Sequence, residues 1–470
     1  MCTDNTTCGA GRQCIDPGKY NAKCDPCPSG TQCTCPSGQV ADGSGGCGVA
    51  GCAGALAAAR PDVAIAEDEA GLAVALISDK SIIAVTENIT TTNQIALGGK
   101  TLVGPKYFSS VSGCSTAATP TLKIQKNDAD GIQLKEGEEI NNLNLAFETT
   151  STSASAISGG GTLTDVKITA APAKAGYLQA AVKVSGSLAL KGNVEINTNL
   201  LALDTLSGSR TNVIGALNVT GENSSGDGMR IAGTFEIMSS GSLTVSGKRY
   251  NAVNINKGTF TVNGGLNLKG GGGKGFDMSG GTLNINKDGA YIKAGYNGIR
   301  TWSAAAININ GSTTFDFEPF TDNSQKTAIS LNQWEDKLTV NKPITVQGDI
   351  GSTSRLDTIL YLCGGIEEEG GYIRVNSTLK KGTSKGPVGI YQCGRGNLRL
   401  QSGAHVIVDQ YHGYQQSAKI SAVSGAKLSV KGICRKATSS QTFTFPKGDG
   451  SSYGWQVPLS SPPSIFSSGC

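Results

Sequence analysis

The chain has 470 residues and a net charge of +4 at pH 7, and only 16% of its residues are charged and 6% aromatic. This balance, without any run of lysines and arginines, excludes the basic surface of a typical nucleic-acid-binding protein, and no stretch approaches the roughly 18 consecutive apolar residues of a membrane span. Its 65 glycines, about twice the ordinary frequency, favour a long, strand-rich and repetitive fold rather than one compact helical globule.

Cysteines are concentrated at the start of the chain, where nine of the 14 lie within 52 residues. They are Cys2, Cys8, Cys14, Cys24, Cys27, Cys33, Cys35, Cys47 and Cys52. The spacing of Cys24 and Cys27 is one that zinc sites use, but no histidine occurs before His405. We therefore predict a disulfide-stapled module over residues 1–55 in an oxidising compartment, and we expect that a secretion signal has been removed from the natural chain.

The sequence AEDEAGLAVALIS, residues 66–78, is the one segment that predicts a helix. Three acidic residues fill its first turn, where the helix dipole favours anions. Leu72 and Ala75 belong to an apolar stripe that ends at Asp79. We assign residues 56–81 to a linker and to this helix, which would cover the exposed strand edges at the start of a sheet.

From about residue 82 onward, apolar–polar–apolar triplets recur between glycines and asparagines. One set begins at Phe235, Phe260, Leu283 and Ile307, so that its steps are 25, 23 and 24 residues. Three triplets in each cycle of about 24 residues are typical of a parallel β-helix. The outer residues of a triplet would face the core and the middle one solvent, and glycine and asparagine would form corners that need positive φ.

Two further sets of triplets follow the same period and complete each coil. A second begins at Leu243, Leu266 and Phe315, with an irregular member near Tyr291, and a third begins at Met229, Val253, Phe276 and Ile299. Traced over residues 82–435, the pattern predicts about 14 to 15 coils and a rod about 70 Å long. Residues 436–470 are predicted to be a tail that packs on the last coils.

The segment DEAGLAVALISDKSIIAVTENITTTNQIALGGKTLVG, residues 68–104, resembles the cap and first coil of right-handed parallel β-helix proteins of the pectate-lyase-like superfamily. The helix, the IIAV strand and the GKTLVG strand that ends in glycine carry the resemblance. It implies a fold class, all-β with a right-handed parallel β-helix. Since the superfamily includes lyases, hydrolases, adhesins and phage tailspikes, it does not imply one function.

The remaining cysteines test the proposed register. ILYLCGG and GIYQCGRG look like equivalent strands of neighbouring coils, which would stack Cys363 on Cys393 with their Cα atoms about 5 Å apart, within disulfide range. Stacked free thiols in a core are the alternative. Cys434 and Cys470 would pin the tail to the last coils, and Cys114 would complete an even set of ten with the N-terminal cysteines.

The outward positions of the clearest coils contain no recognisable catalytic cluster. They are Thr261, Asn267, Asp277, Asn284, Asn308 and Asp316. The alignment places Asp277 and Asp316 on different faces, so it gives neither the paired carboxylates of a glycosidase nor an aspartate cluster for calcium. We therefore predict no enzymatic activity, no cofactor and no metal site.

Two polar segments remain as candidates. His405 and His412, the only histidines, flank Asp409 and Tyr411 in an aromatic and polar stretch that extends to Tyr414. This stretch is interpreted either as a sugar-stacking patch or as an exposed coil edge. The acidic run at residues 367–369 is interpreted as a solvated turn rather than a calcium site.

Together these features favour a non-enzymatic extracellular or cell-surface rod with a structural or adhesive role. Its partners would be further copies of itself, joined head to tail because unlike ends generate an open filament, or a surface glycan. Two alternatives stay open. A groove lined by stacked carboxylates would favour a polysaccharide lyase or hydrolase, and a stacked aromatic ladder would favour a carbohydrate-binding rod that recognises a receptor.

Overall fold

The computed structural model describes most of the chain from residue 51 onward and four short strands before it. The described residues are 12–15, 23–26, 39–41, 47–49, 51–111, 113–126, 128–151, 153–172, 180–221, 223–247, 249–269, 273–318, 326–348, 357–384, 387–393, 395–414, 418–430, 432–444, 455–456 and 466–468. The predicted disulfide module therefore lies largely outside the described residues.

The fold is almost entirely β, with 60% strand and 7% helix, and forms a β-solenoid of about 11 turns rather than 14 to 15. Strands at both ends, such as Val63–Ala66 at the start and the five strands from Lys427 to Ser468 at the end, extend the ladders without completing a turn. At the usual strand spacing, 11 turns correspond to about 50 Å.

The elements before the solenoid are β1 Arg12–Ile15, β2 Lys23–Pro26, β3 Gln39–Ala41, β4 Cys47–Val49, α1 Cys52–Ala59, β5 Val63–Ala66 and α2 Glu69–Ile77. Its first strands are β6 Ile82–Val85, β7 Ile89–Thr91, β8 Ile95–Ala96, β9 Thr101–Val103, β10 Thr121–Gln125, β11 Ile132–Leu134, β12 Glu139–Asn141, β13 Asn144–Thr149, β14 Ile157–Thr164, β15 Lys167–Pro172, β16 Ala180–Lys191, β17 Asn193–Thr198, β18 Leu201–Thr205, β19 Arg210–Val213, β20 Ala216–Thr220, β21 Asn223–Ile231, β22 Thr234–Ile237 and β23 Ser242–Ser246. Two 3-10 helices, Pro105–Phe108 and Glu367–Glu369, interrupt the described strands.

The later strands are β24 Arg249–Ile255, β25 Thr259–Val262, β26 Gly265–Lys269, β27 Lys274–Ile285, β28 Ala290–Ala294, β29 Asn297–Ile309, β30 Thr313–Phe317, β31 Thr327–Leu331, β32 Lys337–Val340, β33 Ile344–Gly348, β34 Asp357–Leu362, β35 Tyr372–Val375, β36 Thr378–Ser384, β37 Val388–Cys393, β38 Asn397–Leu400, β39 His405–Val408, β40 Gln410–Tyr414, β41 Lys419–Ala422, β42 Lys427–Val430, β43 Ile433–Ala437, β44 Gln441–Thr444, β45 Trp455–Gln456 and β46 Phe466–Ser468.

Each turn contributes strands to three faces. In one turn, β25 lies on face A, β24 on face B and β26 on face C, which is the 16-stranded sheet. Faces A and B join into one 26-stranded sheet because β14, β16, β27 and β29 are long enough to bend from face B to face A. In β27 the bend lies at Gly281, whose φ is 88° and whose Cα lies so close to Gly258 that no side chain would fit.

The predicted triplets are confirmed on faces A and B. Phe235, Phe260, Leu283 and Ile307 are successive register partners, and so are Met229, Val253, Phe276 and Ile299. All eight are fully buried in one continuous core. The alternation of apolar and polar residues predicts this result because side chains of a strand point to opposite sides in turn.

On face C the predicted pairing of Leu243 with Leu266 is confirmed, but the predicted register from Leu266 to Phe315 is wrong by two residues. Phe315 pairs through Ile292 with Leu268, whereas Leu266 belongs to the neighbouring column. A shift of two residues keeps the same side chains inside, so Phe315 is still buried. The error arose because a small residue, Ala290, occupies the inward position where the pattern required a large one.

Among the described asparagines, only Asn142 has the positive φ predicted for the corners, and those that follow the face A strands act through their side chains. In the described chain only Asn142, Asp165 and Lys257 among non-glycine residues have positive φ. The asparagines that follow the face A strands instead donate an amide hydrogen bond to the equivalent residue of the turn before. This asparagine ladder consists of Asn263, Asn286, Asn310, Asn341 and Asn376, and three of its four bonds measure 2.7–3.0 Å.

The N-terminal end is closed by the predicted helix. The Asp68 carboxylate accepts a hydrogen bond from the Gly71 amide at 2.6 Å, and this N-cap starts α2 at Glu69. Leu72 and Ala75 are buried in the main core. The strand β5 before it, which was not predicted, already pairs with β6.

The helix α1 was also not predicted, and the predicted domain boundary at residue 55 falls inside it. The sequence CAGALAAA lacks the polar face that marks a surface helix. Cys52 and Leu56 pack on the outside of face A against Val63 and Phe108, in a second small core. A disulfide joins Cys52 to Cys114, with Cα atoms 4.5 Å apart.

The C-terminal end is closed by antiparallel strands. β43 turns back on β42, β44 on β41 and β45 on β40, while β46 pairs with β43. Cys434 in β43 is disulfide-bonded, and the predicted partner Cys470 lies outside the described residues. The parallel ladder of each face therefore stops at a strand that runs against the direction of the solenoid, and on face C β46 is added beyond that strand.

Candidate functional site

One column of residues on face B differs from the rest of the surface in its chemistry. These residues occupy the middle positions of successive face B strands and are register partners from turn to turn, about 4.8 Å apart. This column, the face B row, contains Asp204, Arg230, Asn254, Asp277, Arg300, Ser330, Tyr361, Tyr391 and His412. Four of its first five residues are charged, and its last three are aromatic.

A buried ion pair lies at the centre of the row. Lys274 Nζ is 3.0 Å from Asp277 Oδ2, and the two residues are only 1% and 7% exposed. The prediction that Asp277 is exposed is therefore wrong. The indole of Trp302 covers the carboxylate and donates a hydrogen bond from Nε1 to Oδ1 at 2.6 Å.

Three aromatic rings surround the Lys274 ammonium. Nζ lies 4.7 Å from the ring centroid of Tyr250, 5.6 Å from that of Trp302 and 5.9 Å from that of Tyr296. The faces of these rings attract a cation, and the carboxylate of Asp277 neutralises it. Desolvation and a hydrogen bond with Tyr250 raise the pKa of Tyr296 well above its usual value, so its hydroxyl stays protonated.

A second carboxylate, Asp227, lies next to this pair. Asn251 Nδ2 donates to Asp227 Oδ1 at 2.7 Å and approaches Asp277 Oδ2 at 3.4 Å, and Asn254 Nδ2 donates to Asp227 Oδ2 at 2.9 Å. Desolvation raises the pKa of Asp227, and the two amide hydrogen bonds oppose that shift. The Oδ1 atom of Asn251 is buried and has no hydrogen-bond partner.

Aromatic stacking continues the row towards the C-terminal end. The rings of Tyr361 and Tyr391 stack with centroids 5.0 Å apart and planes inclined by 7°. On the other side of Ser330, the Arg300 guanidinium lies 3.4 Å from the ring centroid of Trp302. Desolvation raises the pKa of Tyr361, while the charge of Arg300 opposes this shift.

A disulfide fixes the tyrosine pair. Cys363 and Cys393 lie two residues after Tyr361 and Tyr391, on the same side of their strands, and they are joined as the register predicted, with Cα atoms 4.6 Å apart. The bond links the two turns that carry the stacked rings. Since an aromatic pair depends on the spacing of its backbones, the cross-link holds both rings in position.

The predicted patch over residues 405–414 is divided between two faces. His405 lies on face C, where Nε2 is 2.9 Å from Ser429 Oγ, and burial lowers its pKa. Asp409 forms an ion pair with Lys381 at 3.3 Å. Tyr411 points into the core and donates a hydrogen bond to Gln392, so only the strand position of His412 belongs to the face B row.

The other acidic candidates do not join the row. Asp316 lies on face C, as predicted, and accepts a hydrogen bond from Tyr291. Glu367, at the start of the acidic 3-10 helix, pairs with Arg399. Within the described residues, no three histidine, cysteine or acidic side chains are grouped as metal ligands.

The sequence contained a signal for the face B row. Arg230, Asn254, Asp277 and Arg300 are the middle residues of the third set of triplets, so the alignment already placed them in one column. Lys274 and Trp302 could not be added from sequence. They lie outside the triplets, and only the stacking of coils and the bend of β29 bring them together.

Comparison of the chain with known protein families, with curated proteins and with solved structures finds no match. Neither of the two α-helices in the described part of the chain is long and apolar enough to cross a membrane.

Proposed function

We propose that the protein is a non-enzymatic extracellular rod that binds a carbohydrate polymer along face B. The observation that carries this proposal is that Arg300, which packs on the ring of Trp302, and the stacked tyrosines Tyr361 and Tyr391 belong to the same face B row. Only 6% of the chain is aromatic, so this clustering is a distinctive feature of the surface.

The chemistry of the row suits sugars. Trp302 is 47% exposed, and the outer edges of the two tyrosine rings, whose faces stack on each other, add apolar surface that can pack against the C–H groups of a sugar ring. Arg300 and the tyrosine hydroxyls offer hydrogen-bond donors for its hydroxyl groups. A row that repeats once per turn suits a polymer better than a single small molecule, because successive sugars meet successive turns.

Disulfides support the extracellular part of the proposal. Cys52–Cys114 links α1 to the solenoid and Cys363–Cys393 links two of its turns, and such bonds persist in oxidising compartments. The role of the solenoid would be to hold the row straight and resist proteolysis. An adhesive rod of this kind needs no catalytic group.

Binding can be tested by affinity electrophoresis through gels that contain soluble xylan, mannan, β-glucan or hyaluronan. We expect at least one polymer to retard the wild-type protein, and Trp302→Ala to abolish most of the retardation. Trp334→Ala is the matched control, since Trp334 is similarly exposed at 58% against 47% for Trp302 but lies in the corner between β31 and β32, whereas Trp302 packs with Arg300 of the row. Equal loss in both variants, or no retardation by any polymer, would overturn the proposal.

Glycoside hydrolysis is a second candidate, and one observation favours it. Asp227, whose pKa is raised, lies beside Asp277, and Asn251 Nδ2 contacts both carboxylates. Glycosidases use two carboxyl groups, one of which carries a proton. Release of reducing ends from a retained polymer that is lost in Asp227→Asn and in Asp277→Asn would establish this activity. Binding without release would leave the rod as a binding protein.

A further inference from the structure

The cap helix α2 is apolar on its outer side as well as on its inner side. Leu72 and Ala75 face the core, whereas Val74 and Ile77 on the opposite side are 65% and 86% exposed. These are the two most exposed large hydrophobic residues in the described chain. Helices that are apolar all round are normally covered on all sides, so this outer side is suited to an interface.

The end of the solenoid that α2 covers is also acidic. Residues 61–80 contain five acidic residues and one lysine. Glu67 and Asp68 are exposed beside the helix, and the Asp79 carboxylate is 89% exposed. This end therefore presents an apolar centre with negative charge around it.

The opposite end has complementary charge. Residues 410–444 contain five lysines and arginines and no acidic residue. Three of them, Lys427, Arg435 and Lys436, lie on the antiparallel pair β42–β43 that closes face C. Ile433, at the start of β43, is 39% exposed, so this end offers an apolar residue together with positive charge.

We infer that the C-terminal end of one copy binds the N-terminal end of the next, with the last two strands of face C, β43 and β46, packed on the outer side of α2. Val74 and Ile77 would contact the apolar part of the closing strands, and the acidic residues around α2 would face the basic ones. Because α2 lies over the core at one end and antiparallel strands close the other, the copies join by packing and not by continuing the strand ladders. Two unlike ends joined in this way produce an open filament, which goes beyond glycan binding.

The test is negative-stain electron microscopy and sedimentation velocity of the oxidised full chain over a range of protein and salt concentrations. We expect end-to-end filaments at low salt that shorten as salt screens the charges. Val74→Ser with Ile77→Ser should raise the concentration needed for filaments by about tenfold or more. Ile214→Ser, an exposed isoleucine in the middle of the solenoid, is the control and should have no effect.

Reversing one charge at each end tests whether these two ends contact each other. Lys436→Glu should weaken assembly, and mixing it with the Glu67→Lys protein should restore heterologous contacts between the two variants. A wild-type chain that stays monomeric at every concentration would overturn the inference. So would equal behaviour of the wild type and the Val74/Ile77 variant. A monomer in which that variant lowers the melting temperature would show that the chain's own N-terminal module covers α2, and this too would overturn it.

Discussion

Two rows of stacked side chains run along this solenoid, and they differ in chemistry. In the asparagine ladder, identical residues bond one another from turn to turn, so each amide is satisfied by its equivalent and no group is specialised. In the face B row, the residue type changes along the row and members depend on particular partners, as Asp277 depends on Lys274 and Trp302. Identical residues at equivalent positions of successive turns therefore stabilise the stacking of the turns, whereas different residues at equivalent positions form a candidate site.

Breaking the ion pair of the row should have the largest effect on stability. Lys274→Met leaves the buried Asp277 carboxylate without its cation, so we expect a loss of about 3–5 kcal/mol in the free energy of unfolding. Urea denaturation measures this loss. Lys293→Met is the control, because the pair of Lys293 with Glu318 is about one-third exposed and should contribute less than about 1 kcal/mol. Similar losses in the two variants would contradict the assignment of a special role to Lys274.

Removal of the disulfide beside the tyrosine pair should have the next largest effect. Cys363→Ser with Cys393→Ser frees a loop of 30 residues, and we expect a loss of about 2–4 kcal/mol. Because the rings of Tyr361 and Tyr391 lose their fixed spacing, retardation by the polymer should fall as well. If this variant folds and the polymer retards it as much as the wild type, the disulfide does not contribute to the binding surface.

The asparagine ladder should respond to mutation in stability but not in binding. Asn310→Ala removes the bonds to Asn286 and Asn341, and we expect a loss of about 1–2 kcal/mol in urea denaturation. Asn376→Ala, at the end of the ladder, removes only the bond between Asn376 and Asn341 and should cost about half as much. A change in polymer retardation by either variant would contradict the division between the two rows.

The smallest effect concerns the pH dependence of stability. Burial raises the pKa of Asp227 above its ordinary value of 3.8, so the folded state holds this proton more tightly than the unfolded state does. Stability is then lost as pH rises from about 4 through the raised pKa. Asp227→Asn removes that dependence, and its stability relative to the wild type should increase from pH 4 to pH 7. A difference that is constant over this range would show that Asp227 ionises normally.

Sequence reasoning succeeded where the chemistry is repeated. The positions of Phe235, Phe260 and Leu283 were predictable because inward residues recur at a nearly constant step. It failed where one turn departs from the repeat. The register of face C was mispredicted because the small residue Ala290 occupies an inward position, and α1 was missed because its alanine-rich sequence has no polar face.

The candidate site was only partly predictable for the same reason. Asp277 and Arg300 could be aligned from their triplets, but the burial of Asp277 depends on Trp302, which lies beyond the triplet of the next turn. Contacts between turns that involve residues outside the repeat have no period in the sequence. Such contacts emerge only when the coils are stacked.

The most direct test of the proposed binding surface is hydroxyl-radical footprinting of the wild-type protein with and without a polymer that retards it. We predict that the polymer protects Trp302, Tyr361 and Tyr391 from oxidation and leaves Trp334 and Tyr372, which lie away from the row, unchanged. Protection of Trp334 or Tyr372 without protection of Trp302 would contradict the claim that face B binds the polymer.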